Sequence, residues 1–121
     1  SGGTAKIGAF LDQLDCDHTI VLFQECEFLT NGTIGRHQVF TTSPLFRKCG
    51  IAIPAALIPF VAAHSSELDQ GPAWVRLCMT STANAPIEFT VVSAYLPHIG
   101  HGFSAWVDTL HKIESVVKKL P

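Results

Sequence analysis

Residues 73–96 constrain the fold of this 121-residue chain more than any other stretch. In Ala73-Trp-Val-Arg-Leu-Cys-Met-Thr80, Val75, Leu77 and Met79 fall on one side and Trp74, Arg76, Cys78 and Thr80 on the other. That period of two is the side-chain period of a β-strand. The turn Thr82-Ala-Asn-Ala-Pro86 follows, and then a β-branched run, Ile87 to Leu96. Two such runs across a short turn predict an antiparallel hairpin.

The remaining elements are built around it. In Thr4–Leu14, Ile7, Phe10, Leu11 and Leu14 recur at helical spacing, and Thr4 suits an N-cap. The polar break Asp15–His18 leads into a short apolar strand, Thr19–Gln24. Residues 30–36 read as a glycine-containing loop, His37–Thr42 as a short strand, and Ser43-Pro44 as a turn. Lys48–Pro54 is a further strand, and Phe60–Ala63 an edge segment, because Pro59 argues against a central one. Phe103–Leu120 is a helix with the stripe Trp106, Leu110, Ile113, Val117 and Leu120. Lys118 and Lys119 suit its C-terminal dipole. Helix, strands, helix is α/β (α+β) grammar: a mostly antiparallel sheet flanked by two helices, in one domain over residues 1–121.

Hydrophobic residues make up 47% of the chain and charged residues 15%, a balance rich in core and poor in surface. A net charge of −2 argues against charge-driven nucleic-acid binding by the chain as a whole, while leaving room for a local phosphate site. No apolar run is long enough for a membrane span, and the N-terminus does not read as a signal peptide. The four cysteines are widely and irregularly spaced, with no CxxC pair. A reduced, intracellular chain is expected, the nucleus being one such location.

Two places carry potential chemistry. The first is Gln24-Glu25, where the run Thr19-Ile-Val-Leu-Phe23 stops on an amide and a carboxylate. Ligands collect at the carboxyl ends of strands in open α/β sheets, and one carboxylate there suits Mg²⁺. On spacing alone, a solvated residue opening a loop is the better account of Glu25. The second is Ser93-Ala-Tyr-Leu-Pro-His-Ile-Gly-His-Gly102. Tyr95 and His98 can donate hydrogen bonds beside a phosphate or move protons. His98 and His101 can also form half of a zinc site, with Cys26 and His18 as the remaining candidates; a polar connecting loop is the plain alternative. Arg36, His37, Arg47 and Lys48 flank the middle strands as phosphate contacts or as solvated loop residues. Walker-type, dinucleotide-binding and GxSxG motifs are absent.

In order along the chain, Ile20-Val-Leu-Phe-Gln-Glu25, Cys49-Gly-Ile-Ala-Ile-Pro54 and Phe89-Thr-Val-Val-Ser-Ala-Tyr-Leu-Pro-His98 precede a long helix carrying Trp106 and Leu110. This series resembles the endonuclease/exonuclease/phosphatase superfamily over residues 6–120, closest to AP-endonuclease-like and retrotransposon-type endonuclease domains. The resemblance implies half of a four-layer α/β sandwich and a Mg²⁺ (or Mn²⁺) cofactor. It implies a nucleic-acid substrate, DNA ahead of RNA, and no membrane partner. Glu25 matches the metal-binding glutamate and Tyr95 an active-site tyrosine. His98 stands where related AP endonucleases have asparagine, and Gln24 accompanies the glutamate. The family's leading Asn strand, its Asp-x-Asn and its Ser-Asp-His are not found in these residues, so the chain by itself is expected to be inactive. A non-catalytic interaction module, docking a partner on an apolar sheet face, is the alternative reading.

Overall fold

A computed structural model describes residues 2–14, 17–43, 47–80, 85–96, 100 and 102–119. The elements run α1 (Gly2–Asp12), β1 (Val21–Gln24), β2 (Gly32–Ile34), β3 (His37–Thr41), β4 (Cys49–Pro54), a 3₁₀ turn (Ala55–Phe60), β5 (Val61–His64), β6 (Ala73–Thr80), β7 (Pro86–Ser93) and α2 (Phe103–Lys119). The fold is α+β, with two antiparallel sheets. One has the order β1-β4-β3-β2 and the other β5-β6-β7.

Alternation builds the core directly. Phe40, Ile51 and Ile53 from the first sheet meet Ala73, Val75 and Leu77 from the second, and all six are buried. The sheets therefore face one another, and the apolar face that the sequence leaves open to a partner is largely closed by β5–β7. On the opposite side of the first sheet, Leu11 of α1 packs with Leu29, Val39 and Ala52. Burying a Leu or Val side chain contributes about 1.5–3 kcal/mol, so these two clusters outweigh the exposed ion pairs as the cause of the layering.

The hairpin expected at residues 73–96 is β6–β7, in continuous register from Ala73↔Ser93 to Thr80↔Pro86. The edge segment after Pro59 is β5, an edge strand with a register shift between Val61 and Ala63. Residues 32–34, expected as loop, pair with β3. This strand has three residues, too few for a period to show. Its turn uses Gly35 at φ 60°, where a Cβ would lie 2.6 Å from Asp12 Oδ1.

Each helix buries a slightly different face from the one its periodicity suggested. In α1, Phe10 is 51% exposed, while Leu11 is fully covered and Ile7 and Leu14 pack beside it. In α2, Val117 is 51% exposed, whereas Thr109 is buried and Trp106, Leu110, Ile113 and Val116 are half-buried; Leu120 lies outside the described residues. No helix among the described residues is long and apolar enough to cross a membrane.

Candidate functional site

The ends of β1 and β7 are held together by side chains. The Gln24 amide donates from Nε2 to the Ala94 carbonyl at 2.8 Å. The buried Ser93 hydroxyl donates to the Phe23 carbonyl at 2.9 Å. These two bonds cross from one sheet to the other, and they fix Glu25 and Tyr95 as the residues that follow each anchored position. Gln24, read from sequence as the companion of Glu25, thus acts as a strap between strand ends.

Glu25 leaves β1 at φ 58°, the left-handed region. Among the described residues it is the only non-glycine with positive φ. That conformation costs an L-residue roughly 1–2 kcal/mol. Strain of this sort persists where surrounding structure imposes it, and it concentrates at functional sites. It turns the chain sharply at the strand's end and leaves the carboxylate side chain 53% exposed.

Arg47 lies beside it. The guanidinium Nε is 2.7 Å from Glu27 Oε1 and 3.9 Å from Glu25 Oε1. The Lys48 backbone N–H also donates to Glu27 Oε1, at 3.4 Å. Glu27 is therefore the carboxylate that Arg47 engages, and Glu25 sits at the limit of ion pairing with most of its acceptor capacity unused. Two carboxylates around one guanidinium leave the cluster with one net negative charge. Arg47 was one of four basic candidates in the sequence; only tertiary structure singles it out. Glu27 carried no sequence signal beyond its distance of two residues from Glu25.

Tyr95 is half-buried. It lines a cavity of about 20 Å³ with Arg47, Cys49, Ala94, Thr109 and Ile113. A space that small holds about one water molecule. His98 and His101 lie outside the described residues. Of the other basic candidates, Arg36 and His37 lie at the β2–β3 turn and line a separate surface depression of about 250 Å³.

Two thiols, Cys26 and Cys49, lie near these carboxylates. Burial, then the charges of Glu27 and Glu25, push Cys26 up from its ordinary value. Burial pushes Cys49 up to about 11. Among the described residues no group of three His, Cys, Asp or Glu side chains converges on a metal position. Glu25 offers a hard, exposed carboxylate oxygen, while Glu27 beside it is engaged by Arg47. That chemistry fits Mg²⁺, which takes one or two carboxylates and completes its shell with water and phosphate oxygens.

Comparison of the chain with protein-family models, with curated proteins and with solved structures returned no match.

Proposed function

We propose that this chain belongs to a Mg²⁺-dependent phosphodiesterase domain acting on nucleic acid, with Glu25 as its metal-binding carboxylate. The observation that carries the reading is the backbone of Glu25: a strained left-handed residue at a strand end, strapped to the end of the strand that leads into Tyr95. The order of the Gln-Glu, Gly-Ile-Ala-Ile and Ala-Tyr-Leu-Pro segments supports it.

In this reading Glu25 holds the cation, which when bound stabilises charge on the phosphoryl oxygens as a Lewis acid. Arg47 keeps Glu27 engaged, so that Glu25 alone is presented. The Tyr95 hydroxyl donates to a phosphate oxygen, and His98 is the second candidate, three positions further along the sequence. One carboxylate binds Mg²⁺ weakly without a phosphate to share it. The 121 residues contain neither Asp-x-Asn nor Ser-Asp-His. Lacking a general base costs about 10²–10⁴ in rate. Plasmid nicking by this chain with Mg²⁺ is therefore expected at background, and robust nicking that Glu25→Ala abolishes would overturn that expectation.

The metal site is tested separately from the chemistry. Mn²⁺ titrated into isotope-labelled protein is expected to broaden the amide signals of residues 24–27 first, and Glu25→Gln is expected to remove the effect. Broadening centred elsewhere, or unchanged in Glu25→Gln, sinks the assignment.

The second reading, an interaction module, is favoured by one observation. Leu22, Ile87 and Phe89 are exposed on the β1–β7 side of the sandwich, 47%, 47% and 36% respectively.

A further inference from the structure

The contact between β1 and β4 continues past its last strand pair, Gln24↔Cys49. The Cys26 N–H donates to the Lys48 carbonyl at 3.2 Å. Glu25 is therefore an extra residue between two ladder positions, a β-bulge, and its left-handed φ belongs to that bulge. A bulge bends its strand and re-aims the side chains that follow. Without the extra residue, Cys26 would stand opposite Arg47; with it, Glu27 does, and the two side chains meet.

Glu27 takes the guanidinium along one edge. Arg47 Nε is 2.7 Å from Oε1, and Nη2 donates to Oε2 at 3.5 Å. The carboxylate is itself held by the Lys48 backbone N–H. A planar fork engaged along one edge is fixed in orientation, and its other N–H groups keep the geometry that suits a phosphate. Nη1 donates to nothing else among the described residues. Arg47 also shares a face with Cys49, two positions on, and both line the small cavity of Tyr95. One side chain thus touches Glu27, stands 3.9 Å from Glu25 and borders Tyr95.

We propose that Arg47 is the phosphate-binding residue of this site, its unused guanidinium N–H groups taking an anionic oxygen of the phosphodiester, with Glu27 as the residue that positions it. This rests on the reading of Glu25 as the metal-binding carboxylate. Charge then sets when the phosphate is admitted. Glu25, Glu27 and Arg47 together carry one net negative charge, which repels an anion. With a divalent cation on Glu25 they carry one net positive charge, and Arg47 is free to attract the phosphate. Cation and phosphodiester therefore bind cooperatively, and by linkage each raises the affinity for the other by the same factor.

The test titrates Mn²⁺ into the isotope-labelled chain with and without a thymidine dinucleotide, which carries a phosphodiester and no terminal phosphate. The dinucleotide is expected to lower the Mn²⁺ midpoint for broadening residues 24–27 by about fivefold or more, the range of ordinary coupling between two sites. Its methylphosphonate analogue, which has no charged oxygen, is expected to leave the midpoint unchanged. In Arg47→Gln the midpoint without dinucleotide is expected to be no higher than in the wild type, because a positive charge has left the neighbourhood of Glu25, and the dinucleotide no longer lowers it. A merely structural Arg47 predicts a raised midpoint instead. Arg47→Lys keeps the charge but not the fork and is expected to lose the coupling as well; it carries the test should Arg47→Gln lose its circular dichroism. Mn²⁺ that reaches residues 24–27 but ignores the dinucleotide overturns the assignment of Arg47 and leaves that of Glu25 standing. Coupling that persists in Arg47→Gln or Arg47→Lys, or that the methylphosphonate reproduces, does the same. Mn²⁺ that never reaches residues 24–27 sinks the metal assignment, and this proposal with it.

Discussion

Glu25 adopts φ 58°, and that angle has a consequence separable from its side chain. Glycine relieves left-handed strain, while alanine retains it and removes the carboxylate. Glu25→Gly is expected to be more stable to urea than Glu25→Ala by about 1 kcal/mol, although both abolish the Mn²⁺ effect. Equal stabilities would mean that the angle is not held in solution. Cys49 offers a pH prediction. Burial raises its thiol from 9.0 to about 11 in the folded chain. The protonated thiol therefore favours folding; its contribution is whole below pH 9.0 and is lost as pH rises through about 11. Urea stability is expected to fall across that window, and to fall less in Cys49→Ala. Cys26 and Cys78 are raised in the same direction, which is why the slope shrinks rather than vanishes.

At the scale of elements, the strap between β1 and β7 decides how the site is assembled. The Ser93 hydroxyl donates to Phe23 across the two sheets. Its dipole also lowers the Cys49 thiol against the effect of burial. Ser93→Ala is expected to cost about 1 kcal/mol, the net worth of a buried hydrogen bond. It is also expected to move the pH profile of Cys49 alkylation upward; an unmoved profile would mean that the hydroxyl does not act on Cys49. Most elements were legible because their signals are local. The β6–β7 hairpin announced itself by alternation around a turn, and β5 as an edge by Pro59. β2 was hidden because three residues carry no period. The buried faces of α1 and α2 were placed only approximately, since a helical stripe spans an arc and packing chooses within it.

For the whole molecule, the core cluster shared by the two sheets implies a single cooperative unit. Leu77→Ala, at the centre of that cluster, is expected to cost about 2–5 kcal/mol. Fluorescence of Trp74 and far-ultraviolet dichroism should then lose their signals at one common urea midpoint. Separate midpoints would mean that the sheets unfold independently. The splitting of seven strands into two facing sheets could not be read from the chain, because alternation shows that a strand has a buried face but not what covers it.

The sequence by itself determined where both helices and every described strand but β2 form, because propensity, periodicity and turn chemistry act over a few residues. Tertiary structure alone decided that Gln24 reaches Ala94 and that Arg47 engages Glu27 more closely than Glu25. Those pairings join residues 20 to 70 positions apart, and no local rule of chain conformation reaches across such a separation.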